Sequence, residues 1–104
     1  MPEFQVYVVE LSADVCNRTN CPSAETGKPH VYVGETKQTP EARFAEHLAG
    51  GFTSARSVRR CGVRLLPDLY RARIRRRTRA ASRAAEVKLA DQLRRRGHCV
   101  FGGH

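Results

Sequence analysis

The stretch HVYVGETKQTPEARFAEHLAGG, His30 to Gly51, sets a strand directly before a helix, and no other feature of the chain constrains its fold as much. Val31 and Val33 alternate with Tyr32, the pattern of a strand with one face against a core. Thr39, Pro40 and Glu41 then read as helix cap, first helical residue and first-turn acid. Phe44 and Leu48, four apart, predict the apolar stripe of this helix. Gly50 and Gly51 predict its end. A strand needs a partner for its N–H and C=O groups. EFQVYVVEL, Glu3 to Leu11, has the β-branched and aromatic composition to supply one. Neighbouring strands of this kind pair most simply antiparallel.

Between the two strands runs a long segment, Ser12 to Pro29, of loop composition. TSARSVRRCG predicts a short second helix, with Ser54 as a cap and Gly62 as the stop. VRLLPDLYRARI can supply a third strand, interrupted by Pro67. A long helix follows, over about Arg77 to Arg96 and stopped by Gly97, and HCVF can close the chain as a short strand. The order β-β-α-α-β-α groups strands early and helices late. It predicts an α+β fold, a small and mostly antiparallel sheet of about three strands flanked by helices. The 104 residues are read as one domain, 1–104, with a long insertion at about 12–29.

Charge narrows the partners. The net charge is +9, and it is uneven. Residues 1–51 carry a net −3, whereas residues 52–104 carry a net +12. Sixteen of the nineteen basic residues are Arg, and seven of these crowd into Arg71 to Arg83. An Arg-rich composition also follows from a GC-rich genome, so the asymmetry carries the argument. So one-sided a field attracts polyanions, nucleic acid first among them, and Arg forks onto phosphate oxygens as Lys cannot. The N-terminus has no basic start or small-residue cleavage site, and no run approaches the ~20 apolar residues of a membrane span. The expectation is a soluble, cytoplasmic protein without membrane contact. In that compartment its four Cys are expected as reduced thiols.

A few polar residues stand out by position. Ser82, Glu86, Leu89, Ala90 and Leu93 share one face of the long helix, so Glu86 lies on or beside an apolar stripe. A carboxylate there is costly unless it is paired or binds a cation. A salt bridge to Arg79 or Arg83 and a metal-ligand role are equal readings. Arg43 and His47 share a face of the first helix, with Glu46 beside them. Gly34 lets something approach the backbone closely. Cys16 and Cys21 lie in the long loop with His30 nearby, a weak signal for zinc because the four Cys do not form two tight pairs.

Taken in order, these residues resemble the GIY-YIG nuclease superfamily. Gln5-Val6-Tyr7 stands at the family's first triplet and Tyr32-Val33-Gly34 at its second, followed by Thr36. Arg43 and His47 match the helix after it, and Glu86 matches the family's metal-binding Glu on a later helix. The resemblance spans nearly the whole chain. Gln5 replaces the first triplet's glycine, the loop between the triplets exceeds the family's short hairpin, and the family's closing Asn has no counterpart. The resemblance implies a metal-dependent endonuclease that hydrolyses phosphodiester bonds in DNA, directed by substrate structure or by a targeting protein. It implies Tyr7, Tyr32, Arg43, His47 and Glu86 as catalytic residues, with Glu86 holding one Mg²⁺ or Mn²⁺. A Tyr would act as base only where Arg or metal lowers its pKa from ~10, and His47 would shuttle protons or hold a phosphate. Gly34, Thr36, Arg71, Arg73, Arg75, Arg76, Arg77 and Arg79 are the expected substrate contacts. Two alternatives compete with this reading: a degenerate module that grips nucleic acid through the Arg-rich half without cutting, and a small zinc-stapled interaction protein.

Overall fold

The computed structural model describes residues 4–12, 30–50, 62–70 and 77–102. Strand β1 (Gln5–Leu11) and strand β2 (His30–Thr36) form the predicted antiparallel pair, with Tyr7 opposite Gly34 and Val9 opposite Tyr32. Strand β3 (Gly62–Leu65) pairs antiparallel with the other side of β1. Helix α1 (Pro40–Ala49) follows β2, and helix α2 (Arg79–Arg95) precedes the short strand β4 (Val100–Gly102). The architecture is α+β, as expected. The sheet has four strands rather than about three, in the order β3-β1-β2-β4, and it is mixed.

The fourth strand explains the mixture. β4 lies parallel to β2, with Val31 opposite Val100 and Val33 opposite Gly102. A parallel neighbour needs a crossover, and a helix is the usual one. Here α2 carries the chain back to the open edge of β2. Gly102 has φ +75°, and a Cβ there would lie 2.3 Å from the Val33 carbonyl oxygen, so only glycine lets β4 lie this close.

Local sequence sets the helix ends. Thr39 Oγ1 accepts from the Ala42 N–H at 3.1 Å, and Thr78 Oγ1 accepts from Ala81 N–H at 3.1 Å. Gly50, in the left-handed region, caps α1, and Gly97 follows α2. On α2 the buried residues are the predicted Ser82, Glu86, Leu89, Ala90 and Leu93. On α1 the prediction fails in part. Phe44 packs against the core, but Leu48 is 49% exposed, and the buried residues are Pro40 and His47. A polar partner inside the fold, Tyr7, turns the helix toward His47 rather than Leu48.

Two more expectations change. The second helix predicted over Ser54 to Gly62 falls mostly outside the described residues, and Gly62 opens β3 instead of stopping a helix. Pro67 ends the third strand, as anticipated, and begins a 3₁₀ turn, Pro67–Leu69. The core joins both sheet faces and α2: beside Tyr7 its buried members include Val6, Val8, Val9, Leu11, Val31 and Val33 of the sheet, Tyr70, and Leu89, Ala90 and Leu93 of α2. Cys99 is buried and disulfide-bonded, so the expectation of reduced thiols fails for it. Cys16, Cys21 and Cys61 lie outside the described residues. Among the described residues, no helix is long and apolar enough to cross a membrane.

Candidate active site

The pairing of β1 with β2 assembles the site's floor. Tyr7 faces Gly34 across the ladder, and Tyr32 is its diagonal neighbour, so both rings leave the same face of the sheet. Gly34 gives them room. A Cβ there would lie 2.7 Å from the Tyr7 hydroxyl oxygen and 2.9 Å from Tyr32 Cε1. The close approach that Gly34 permits is therefore made by Tyr7, not by a substrate.

Helix α1 supplies the roof. The His47 ring lies 6.2 Å from that of Tyr7 and 5.9 Å from that of Tyr32, and the two tyrosine rings are 6.3 Å apart. His47 Nε2 and the Tyr7 hydroxyl share a buried hydrogen bond of 2.8 Å. Arg43, one turn earlier, hydrogen-bonds the Tyr7 hydroxyl as well. An arginine only donates, so the Tyr7 oxygen accepts from Arg43, and in the Nδ1–H tautomer of His47 it donates its own proton to Nε2.

The electrostatics agree with that orientation. Burial pushes His47 down to about 4, Arg43 pushes the same way, and Glu46 opposes them. The imidazole is therefore neutral near pH 7 and free to accept at Nε2. It carries no charge with which to hold a phosphate, which leaves the proton-transfer half of the expectation. Burial raises Tyr7, and Tyr32 and Glu86 add to the rise, while Arg43 lowers it. Tyr32 is raised by burial, then by Glu86, and again Arg43 opposes. The expected lowering by arginine is present but loses to burial, so both tyrosines keep their protons.

Glu86 lies on the buried face of α2. It is 7% exposed, and its carboxylate acts on both tyrosine hydroxyls. The anticipated pairing with Arg79 or Arg83 goes elsewhere: both arginines approach Glu35 Oε1, at 3.8 and 4.0 Å. Glu35 Oε2 and Ser82 Oγ are buried without a hydrogen-bond partner among the described residues. Carboxylate and phenol oxygens, the donors that Glu86 and the two tyrosines offer, suit a hard divalent cation with water completing its shell. They do not suit zinc, which favours thiolate and imidazole, and His47 Nε2 is committed to Tyr7. Among the described residues no three His, Cys, Asp or Glu gather to hold a metal.

A cleft of about 320 Å³ adjoins the cluster at Arg43. Thr36 lines it and shapes its lip, since Thr36 Oγ1 accepts from the Gln38 N–H at 3.0 Å. Arg79 lines it too, and Arg77 is exposed just ahead of α2. Arg71, Arg73, Arg75 and Arg76 lie outside the described residues. Lys37, Gln38 and Glu46 line the cleft and were not anticipated as contacts. The i,i+3 spacing of Arg43 and Glu46 was a legible signal for their ion pair, but nothing in the sequence places Gln38 against Glu46. The chain matches no family model, and no curated protein and no solved structure is similar to it.

Proposed function

We propose that the protein is a metal-dependent endonuclease of the GIY-YIG kind, hydrolysing phosphodiester bonds in DNA. One observation carries this reading: Tyr7, Tyr32, Arg43 and His47 meet at one face of the sheet, with the Glu86 charge acting on both tyrosines. Residues separated by up to 79 positions have no packing reason to converge as a polar group, and buried polar clusters with displaced pKa values mark functional sites.

The residues divide the work as follows. Glu86 would hold Mg²⁺ or Mn²⁺, which polarises the scissile phosphate and stabilises the leaving oxygen. Arg43 offsets charge on the pentacoordinate phosphorus. As a water attacks phosphorus and the bond to the leaving oxygen breaks, the water's proton passes to the Tyr7 oxygen and the Tyr7 proton to His47 Nε2 along the 2.8 Å hydrogen bond, while the leaving oxygen takes a proton from solvent. This relay never requires a free phenolate, which a raised tyrosine pKa disfavours. Tyr32 orients the water beside Tyr7. The basic second half of the chain attracts the DNA.

The test is nicking of supercoiled plasmid with Mg²⁺ or Mn²⁺. Wild type should cut, and Glu86→Ala should lose roughly 100-fold or more of the rate, a few kcal/mol of barrier. No cutting by wild type, or equal cutting by the variant, overturns the reading. A second reading, binding without cleavage, is favoured by the protonated state of both tyrosines. Retention of plasmid in a gel shift without any nicking would select it.

A further inference from the structure

The cleft beside Arg43 is built around an anion that the protein itself provides. Glu46 Oε1 accepts from Arg43 Nη1 at 3.0 Å, and Glu46 Oε2 accepts from Gln38 Nε2 at 3.2 Å. One donor comes from helix α1 and the other from the turn after β2. Together they grip both oxygens of an exposed carboxylate. The two non-bridging oxygens of a phosphodiester present the same pair of acceptors and the same single charge. The grip keeps Glu46 ionised, since the Arg43 hydrogen bond and then that of Gln38 lower its pKa.

Two further cations stand on the rim. Lys37 Nζ and the Arg79 guanidinium each lie 5.4 Å from the centre of the buried Phe4 ring, which fixes them beside the opening. Arg79 approaches Glu35 only to 3.8 Å, and its side chain is 55% exposed, so a better acceptor can still engage it. At about 320 Å³ the cleft lies at the small end of ligand sites, room for a phosphate and sugar but not for a base pair.

We propose that this cleft seats a backbone phosphodiester of the bound DNA next to the one being cleaved, and that the Glu46 carboxylate occupies that place in the free protein. The inference rests on the nucleic-acid reading above and names its second phosphate subsite. Arg43 is shared between the two. When the strand enters, Glu46 swings out to solvent, and Arg43, Gln38, Lys37 and Arg79 close on the phosphate. Glu46 thus sets a threshold that a single small anion does not cross and a strand held at several phosphates does.

Binding in EDTA, where no cleavage occurs, tests this. The probe is a short fluorescein-labelled DNA duplex, read by anisotropy over a range of NaCl. Glu46→Ala should bind several-fold more tightly than wild type, with a similar log–log salt slope, because both proteins engage the same phosphates once bound. Glu41→Ala removes an equal charge from the same helix outside the cleft, and should gain clearly less. Lys37→Ala and Gln38→Ala should each weaken binding several-fold, and adding Gln38→Ala to Glu46→Ala should cancel the gain. The inference is overturned by equal gains from Glu46→Ala and Glu41→Ala, by no gain, or by no binding from any of these proteins. Plasmid nicking is read separately, so failure of the endonuclease reading leaves the affinity order intact, and the reverse.

Discussion

At the scale of single residues, the site depends on what is small and what is neutral. Gly34 is small so that Tyr7 can lie across it. Gly34→Ala should cost roughly 1–3 kcal/mol, because the new methyl meets the buried Tyr7 ring and the partly buried Tyr32 ring. A urea midpoint equal to wild type would show that the rings yield freely. His47 is neutral because it is buried against Tyr7, and this has a pH consequence. Its folded pKa of about 4 lies below the ordinary 6.5, so folding excludes a proton that the unfolded chain binds. The resulting stability is complete above pH 6.5 and declines as pH falls toward 4, by about 2–3 kcal/mol in all. Urea unfolding of wild type against His47→Gln checks this; the variant should lack that part of the slope, and parallel curves would refute it. If His47 also serves as the proton acceptor, cleavage should persist through pH 6 and fall only toward pH 4, where the imidazole becomes charged.

At the scale of elements, each helix presents polar residues inward, His47 from α1 and Ser82 and Glu86 from α2. α1 turns His47 to the sheet and leaves Leu48 in solvent; α2 turns Glu86 inward between Ser82 and Leu89. The helix caps hold these rotations. Thr39→Ala removes the bond to the Ala42 N–H and should cost about 1 kcal/mol. Because the same cap fixes where α1 begins, the variant should also lose cleavage, with Arg43 and His47 displaced together. A loss of stability without any loss of rate would separate the cap from the site. The α2 stripe was legible in advance because five residues at helical spacing state a face unambiguously. The α1 stripe was misread because Phe44 and Leu48 are two residues only, and the Tyr7 hydroxyl outweighs one exposed leucine in setting the rotation.

At the scale of the whole molecule, charge separates into halves that the fold then partly reconnects. Arg79 and Arg83 of the basic half approach Glu35 of the acidic half, and Arg64 pairs with Glu10 at 2.8 Å. These contacts join the helix and the edge strand to the central pair without consuming the excess of +12. DNA affinity should therefore fall linearly on log–log axes as salt rises, and Arg77→Ala should lower the slope by about one. A slope near zero in wild type would remove the polyanion reading. The disulfide at Cys99 also belongs to this scale. Composition pointed to reduced thiols because it can weigh a compartment but not the distance between two sulfurs.

By itself the sequence determined the α+β class, the β1–β2 pairing, both helices among the described residues, and the inward face of α2. These follow from local periodicity, caps and turn residues, which act over a few positions. It also singled out Tyr7, Tyr32, Arg43, His47 and Glu86 by order and resemblance. Only the tertiary structure decided that four of them share one sheet face, that Tyr7 and His47 share a buried hydrogen bond, and that burial outweighs Arg43 in holding the tyrosines neutral. It alone added the parallel fourth strand and the cleft where Gln38 and Arg43 hold Glu46. Hydrogen bonds across 40 residues, and desolvation at a buried ring, depend on distances that no spacing along the chain encodes.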